Sequence, residues 1–550
     1  MSKNLSELSG RKGLRDNLFD RIGELSNDTP SLKDFEDLAK EYKIGTANVY
    51  GSTTFYDFTR PSNRGKKIYI CNGSACMTAG TQANLKNNIL NHFNDNEIGE
   101  MCCLGRCYEN SAFHLNGVNF SGSDQNISEI ITGVSKHQSF CQVYSSGKPI
   151  LTGNDLSDVS TFKSLLYKLL DNSPEDLLEE IKIANVRGRG GAGFPMHIKL
   201  NGCKQANSVD GRKFIVCNAD EGDPGAFSDR YLMELQPYKV LLGMVMAGYI
   251  TGADWGVLYI RAEYPECIHM IQESIAQLMA DGLLGENIMD SGFSFYFKVI
   301  KAQGAYICGE ETALISSIEG QRPEVRVRPP FPVVEGLFNR PTVVQNVETL
   351  ACLPFILSHG GGAFSQIGTE KSKGTKLVSL DSHFQKPGLY EVEMGHSLSH
   401  LLNEMAGGFS KPVKALHIGG PLGGLVPVEK ISELTVDFES FSKAGFLLGH
   451  ASVVCIPRDF PLITYLRHLF EFTAHESCGK CFPCRLGSTR GAELLKKAEN
   501  DGYKIDAQLF QDLLFTLEKG SLCALGGGLP LPVKNALQYF QEELRMYFQE

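Results

Sequence analysis

Three cysteines share one heptapeptide, Cys478-Gly-Lys-Cys481-Phe-Pro-Cys484, and no other feature limits this chain's fold as tightly. Gaps of two residues let three thiolates turn inward on one compact loop and meet at one centre. Soft thiolate donors select zinc or an iron–sulfur cluster. A fourth donor is needed, and Cys523 is the only cysteine further along the chain. It stands in Ser521-Leu-Cys-Ala-Leu-Gly-Gly-Gly, where glycine lets backbone come close to a bound group. Structural zinc sites usually pair two C-x2-C knuckles. Three cysteines on one loop with a remote fourth fit a 4Fe–4S cluster better, with zinc as the alternative.

A second group lies near the N-terminus. Cys71-Asn-Gly-Ser-Ala-Cys76 leaves a strand-like segment, Lys67–Cys71, and Cys103-Leu-Gly-Arg-Cys107 follows the next β segment. Four thiolates at the ends of neighbouring strands suit a 2Fe–2S cluster, with zinc again the alternative. Cys102 could replace Cys103, since Cys102–Cys107 is also C-x4-C. The Leu-Gly between Cys103 and Cys107 permits the tighter loop and favours Cys103. The isolated Cys141, Cys203, Cys217, Cys267, Cys308, Cys352 and Cys455 read as small buried hydrophobes. The N-terminus is polar and lacks an export signal, so disulfides are not expected and a cytoplasmic location is.

A chain of 550 residues predicts about three to five domains. Its net charge of −10 disfavours nucleic acid as a partner. The most apolar stretch, Val240–Ala253, falls short of the ~20 residues that span a bilayer. It predicts a buried core helix and no direct membrane insertion. The pattern of segments predicts an α/β multidomain chain. Residues 1–62 are helical, with Leu32, Phe35, Leu38, Ala39 and Tyr42 at helical spacing. Residues 63–138 form a small α/β domain with a hairpin at Asn116-Gly117. Residues 155–358 form a larger α/β layer structure, 359–436 a β-rich domain and 437–550 a helical domain. A polar linker is expected around 145–160.

Gly188-Arg-Gly-Gly-Ala-Gly-Phe194 contains G-x-G-x-x-G. The preceding segment from Pro174 reads as a helix rather than a strand, which argues against an ordinary Rossmann turn. The loop still offers backbone N–H groups, and Arg187, Arg189 and Lys199 offer positive charge. Three polar segments end strand-like runs or open helices: Asn218–Gly225, Gly304–Thr312 and Gln345–Thr349. Caps and turns alone explain any one of them. Three beside a basic glycine loop predict a cofactor pocket.

Taken together, these residues resemble the NADH-oxidising flavoprotein subunit of respiratory complex I and its soluble diaphorase relatives. The resemblance runs from about residue 160 to the end, through Gly188–Phe194, Asn218–Arg230, Gly304–Gly320, Arg328–Phe331, Asn346–Thr349, Glu476–Gly487 and Ser521–Gly526. Residues up to 138 resemble that complex's thioredoxin-like 2Fe–2S subunit, here fused. The resemblance implies a non-classical Rossmann-like domain that holds FMN and NAD(H), a ubiquitin-like β-grasp domain and a helical bundle carrying 4Fe–4S. FMN would contact Gly188, Arg189, Gly190, Lys199, Asn218, Asp220, Glu221, Tyr306, Gly309, Glu310, Asn346 and Thr349, with Gly191, Asp223 and Gln345 also among the cofactor-binding residues. The adenine of NADH would stack between Phe194 and Phe331, near Glu311 and Arg328. Asp223, Arg328 and Gln345 depart from the family's Glu, Lys and Asn, which leaves NAD-versus-NADP preference open. Cys71, Cys76, Cys103 and Cys107 would hold 2Fe–2S, and Cys478, Cys481, Cys484 and Cys523 would hold 4Fe–4S. No side chain acts as acid or base, since hydride passes directly to the flavin. The implied partners are an iron–sulfur electron-transfer subunit and a hydrogenase or formate dehydrogenase subunit. The alternatives are a bifurcating complex, a respiratory NADH dehydrogenase, or a non-catalytic assembly subunit.

Overall fold

The computed structural model describes residues 13–27, 30–122, 126–133 and 141–549. The polar stretch 1–12 and the expected domain limit at residue 138 lie outside them. Helices Leu18–Asn27, Leu32–Glu41 and Thr46–Thr53 open the described chain. The second begins at a capping box formed by Ser31 and Asp34. Phe35, Leu38, Ala39 and Tyr42 are buried as predicted, but Leu32 is exposed. Leu32 is the first residue of its helix and falls outside the apolar cluster that the other four join.

The small α/β domain has four strands in the order Ile98–Met101, Ile68–Cys71, Phe113–Leu115, Val118–Phe120. The first two run parallel, with Cys71 opposite Met101. Parallel strands end at the same edge, so segments 71–76 and 102–107 emerge side by side. Asn116 and Gly117, both at positive φ, close the hairpin, as their type I′ preference predicts.

The central sheet is wholly parallel, in the order Tyr296–Lys301, Trp255–Ile260, Phe214–Ala219, Thr342–Asn346. Such a sheet is covered on both faces, which explains its apolar strands. The helix Pro237–Thr251, which overlaps the segment predicted as core, is buried nearly all round. Its Gly243 meets the chain at Leu350, where an added Cβ would lie 2.0 Å from the carbonyl oxygen. Alanine is the better helix former by about 1 kcal/mol, but overpacking a tight contact costs about 1–3 kcal/mol. With backbone as the obstacle, the steric cost wins. Gly243→Ala is therefore expected to lower the thermal midpoint, and a melt with an unchanged or raised midpoint would refute this.

A third sheet has six strands, in the order Gly424–Pro427, Val413–Ile418, Ser452–Pro457, Thr375–Leu380, Gly388–Glu393, Val143–Ser145. It draws on chain beyond both ends of the expected 359–436 domain. Val143–Ser145, at the start of the expected linker and mostly before it, pairs in parallel with the edge strand Gly388–Glu393 and satisfies its free backbone groups. Ser452–Pro457, from the expected helical domain, is buried throughout and fills the gap between two strands that would otherwise both be edges. Residues beyond it are chiefly helical, with Leu462–Glu476, Ser488–Asn500, Ala507–Gly520 and Pro530–Tyr539 as the main helices. Among the described residues, no helix is long and apolar enough to cross a membrane.

Candidate cofactor cavity and cluster sites

The parallel sheet sets the site. Its strands all point their carboxyl ends one way, and α/β folds bind ligands at that edge. Asn218 and Asn346 are paired neighbours at the ends of their strands. The Tyr306–Gly309 turn follows the strand Tyr296–Lys301. An inner cavity of 440 Å³ and an outer one of 710 Å³ lie here and share Gly190, Ala192, Asn218, Gly309, Glu310, Asn346 and Ala524. Gly191, Asp220, Glu221, Asp223 and Tyr306 line the inner cavity. Gly188, Phe194, Lys199, Glu311, Arg328, Phe331 and Gln345 line the outer one. Arg189 and Thr349 do not face either cavity. The Arg189 backbone N–H donates to Thr349 Oγ1 at 2.8 Å, and its guanidinium turns inward to the Lys373 carbonyl. The two residues fasten the glycine loop from behind.

Charge is distributed differently in the two cavities. In the outer one, Lys199 Nζ donates to Glu311 Oε2 at 2.7 Å and Arg328 Nη1 to Glu311 Oε1 at 3.0 Å. Glu310 caps the helix Glu311–Ile318 by accepting from the N–H groups of Thr312 and Ala313. Phe194 and Phe331 stand 45% and 54% exposed on its walls. The inner cavity is acidic. Burial pushes the Asp220 and Asp223 carboxyls upward. Tyr306 Oη donates to Asp223 Oδ1 at 2.7 Å. Glu221 accepts from the N–H groups of Asp229 and Arg230 at 2.9 and 3.1 Å, and burial with the adjacent Asp229 raises its carboxyl.

The cysteines converge in two groups. Cys103 Sγ lies 3.3 Å from Cys107 Sγ, and Cys71 is within hydrogen-bonding reach of Cys76 and Cys103. Cys102 stands beside this group, its Sγ packed against Gly73. Cys478, Cys481, Cys484 and Cys523 form the other group, packed in one apolar cluster. Gly526 makes that convergence possible, since a Cβ there would lie 2.7 Å from Cys484 Cβ. The single cysteines are buried as predicted except Cys141, which is half-buried.

One group reaches the cavities directly and the other through the 220–225 segment. Cys523 lines the outer cavity. Glu476, two residues before Cys478, accepts from the Tyr306 N–H at 2.7 Å. On the opposite side, the Gly225 N–H donates to Cys107 Sγ at 3.3 Å. Arg261 donates to the carbonyls of Glu221 and Cys102, and to Glu263 Oε1 at 2.6 Å.

These residues fit the groups they would hold. Burial pushes the Cys484 and Cys523 thiols up to about 11 and about 12. Holding these two as thiolates requires a strongly cationic centre, which a metal cluster provides. In the inner cavity, Asp220 Oδ2, Asp229 Oδ1 and His450 Nδ1 are buried without a protein hydrogen-bond partner. The cavity size and a few convergent polar atoms suit a cofactor.

Sequence reasoning missed the wall contributed by the third sheet: Gly419, Gly449 and His450. Gly419 and Gly449 cross so closely that a Cβ on Gly449 would lie 2.3 Å from the Gly419 carbonyl oxygen. The glycines were a visible signal, but nothing local links residue 419 to 449 or either to the 188–193 loop.

Glycine-lined cavity, carboxyl-end placement and two thiol groups together define an iron–sulfur flavoprotein oxidoreductase. Residues 181–354 match the Nuo51 FMN-binding domain, 464–547 the NADH-ubiquinone oxidoreductase-F iron-sulfur binding region, and 31–135 the thioredoxin-like 2Fe–2S ferredoxin. The F 2 subunit of the NADH-quinone oxidoreductase of Rhizobium meliloti is 40% identical over 71% of this chain and 92% of its own length. The alpha subunit of the NAD-reducing hydrogenase HoxS of Cupriavidus necator is 32% identical over 96% of this chain and 91% of its own length. A crystal structure of an air-oxidized NAD+-reducing NiFe-hydrogenase superposes with a TM-score of 0.86 at 26% identity, covering 100% of this chain and 95% of that one. The chain belongs to the family of NADH-oxidising, complex I-type flavoprotein subunits, with FMN, 4Fe–4S and 2Fe–2S as its cofactors. Iron–sulfur therefore displaces the zinc alternative.

Proposed function

We propose that this chain is the diaphorase subunit of an NAD-linked hydrogenase, exchanging hydride with NAD(H) and passing single electrons to partner subunits. The observation that carries it is the position of Cys523 on the wall of the cavity that also holds Lys199, Glu311 and Phe331. A hydride site and a one-electron carrier thus share one wall. FMN, when bound, supplies the conversion between a hydride and two single electrons.

The chain's own residues bind, orient and exclude water. Gly188, Gly190 and Gly191 let backbone approach the flavin and its phosphate. Asn218, Asp220, Glu221, Asp223, Tyr306, Gly309, Glu310, Gln345 and Asn346 orient it, while Arg189 and Thr349 brace the glycine loop from behind. Phe194 and Phe331 flank the adenine, and Glu311, held by Lys199 and Arg328, accepts from ribose hydroxyls. A site that fixes both partners would make hydride transfer effectively unimolecular. Cys71, Cys76, Cys103 and Cys107 hold 2Fe–2S as a side store, and Cys478, Cys481, Cys484 and Cys523 hold 4Fe–4S on the route out. The hydrogenase assignment rests on span. The hydrogenase alpha subunit matches 96% of the chain, N-terminal cluster domain included, against 71% for the Rhizobium meliloti relative. A cytoplasmic location follows from the same reading.

Purified chain is expected to be yellow-brown, release FMN on denaturation and bleach on adding NADH. A chain reconstituted with FMN that NADH leaves unbleached would overturn the reading. Phe331→Ala is expected to raise KM for NADH roughly two- to tenfold with little change in kcat, since aromatic stacking contributes about 0.5–1.5 kcal/mol. Steady-state ferricyanide reduction measures it. An equal loss in kcat would place Phe331 elsewhere in the cycle.

A further inference from the structure

Five carboxylates line the inner cavity, on Asp220, Glu221, Asp223, Asp229 and Glu310. Among the described lining residues, the one basic side chain is the imidazole of His450. It is 6% exposed and its partner Asp229 1%. His450 Nε2 lies 3.2 Å from Asp229 Oδ2, and Nδ1 lies 3.8 Å from Glu221 Oε1. Asn346 Nδ2 donates to the same Asp229 oxygen at 2.6 Å. His450 Nδ1 and Asp229 Oδ1 have no protein hydrogen-bond partner. Two buried polar atoms left open on the wall of one cavity indicate an occupant that meets them.

Two-electron reduction of a flavin by hydride adds one negative charge unless a proton follows. An acid-walled, poorly solvated cavity opposes that charge. A fixed cation beside it favours the reduced form, and nearby charge is a recognised lever on flavin electronics. We propose that His450, carried as an imidazolium on Asp229, is a positioning residue that sets the charge of the inner cavity and thereby raises the reduction potential of bound FMN. This rests on the flavin reading above. The charge state is supported by the surroundings. Burial disfavours the cation, and Lys376 opposes it from the strand Thr375–Leu380, but Asp229 and Glu221 outweigh both and hold the imidazole up to about 9. Asp223 faces the same group from the 220–225 segment.

The test is a spectroelectrochemical titration of FMN in the purified holoprotein and in His450→Gln. Replacing the imidazolium with a neutral amide leaves Asp229 uncompensated. The preference for reduced over oxidised FMN is expected to fall about tenfold, a drop of about 30 mV for a two-electron couple. His450→Lys, which keeps a cation on Asp229, is expected to restore most of it. The gap between wild type and His450→Gln should close as pH rises through about 9, where the wild-type imidazole loses its proton. An unchanged FMN potential in a flavin-loaded His450→Gln overturns the proposal. If that variant loses its flavin, the wild-type titration decides, and a potential with no added pH dependence near 9 overturns it. A wild-type chain that binds no FMN refutes the flavin reading instead.

Discussion

Cys484→Ala is expected to cut electron delivery from NADH to the partner complex by roughly a hundredfold or more. Changes to groups that merely support a metal ligand cost about 10–100-fold, and a lost ligand costs at least as much. NADH-dependent ferricyanide reduction should survive in large part, because the cavity that would take up NADH is built from other elements and Cys484 does not line it. The split between the two assays is the informative result. Cys484 is 4% exposed and packs against Gly526, so a methyl group there leaves the apolar cluster largely in place. Loss of the 4Fe–4S signal in electron paramagnetic resonance, with the 2Fe–2S signal retained, would confirm which centre was removed. Normal partner turnover without that centre would eliminate it from the route.

Arg261→Met is expected to be the most destabilising single change among the residues around the cavity, at about 3–5 kcal/mol. Arg261 and Glu263 are 2% and 1% exposed and lie 2.6 Å apart. Removing the cation leaves Glu263 buried without its partner, and that penalty exceeds the value of the ion pair itself. The same guanidinium also ties the Glu221 carbonyl to the Cys102 carbonyl. Its loss therefore frees the segment bearing Cys103 and Cys107 along with the floor of the inner cavity. Thermal unfolding should show a much lower midpoint, and the 2Fe–2S signal should weaken before the 4Fe–4S signal does. Arg261→Met with Glu263→Leu should recover part of the stability without recovering the tie to Cys102. Exposed pairs such as Lys182–Glu179 give no comparable effect, because water solvates both charges. A single variant as stable as wild type would refute the assignment of Arg261 as the tie.

Much of the site was legible because its signals are local. The spacing of Cys478, Cys481 and Cys484 lies within one turn of chain, and three thiolates so placed have few alternatives. Asn116-Gly117 specified its hairpin by backbone preference alone. The polar strand ends at Asn218 and Asn346 were readable because their strands are apolar runs that stop abruptly. The β-rich region extends beyond what its local pattern indicates. Val143–Ser145 is three residues with no amphipathic pattern, and only the open edge of Gly388–Glu393 makes it a strand. Ser452–Pro457 is a short apolar run followed by helices, and run length alone does not separate a strand from the start of a helix.

The sequence by itself determined which kinds of donor lie close together: soft thiolates at cluster spacing, and glycines and carboxamides where a sheet would end. These follow from side-chain type and from separations of a few residues, which chain geometry limits directly. Only the tertiary structure decided which of these parts face one another. It placed Cys523 on the cavity wall, turned Arg189 away from the cavity, and brought His450 to Asp229 across 221 positions. Contacts at that separation depend on how three sheets pack, which no local spacing encodes. Charge acts through space rather than along the chain, so the acid-lined cavity and the His450 imidazole on its wall became visible only when those sheets were assembled.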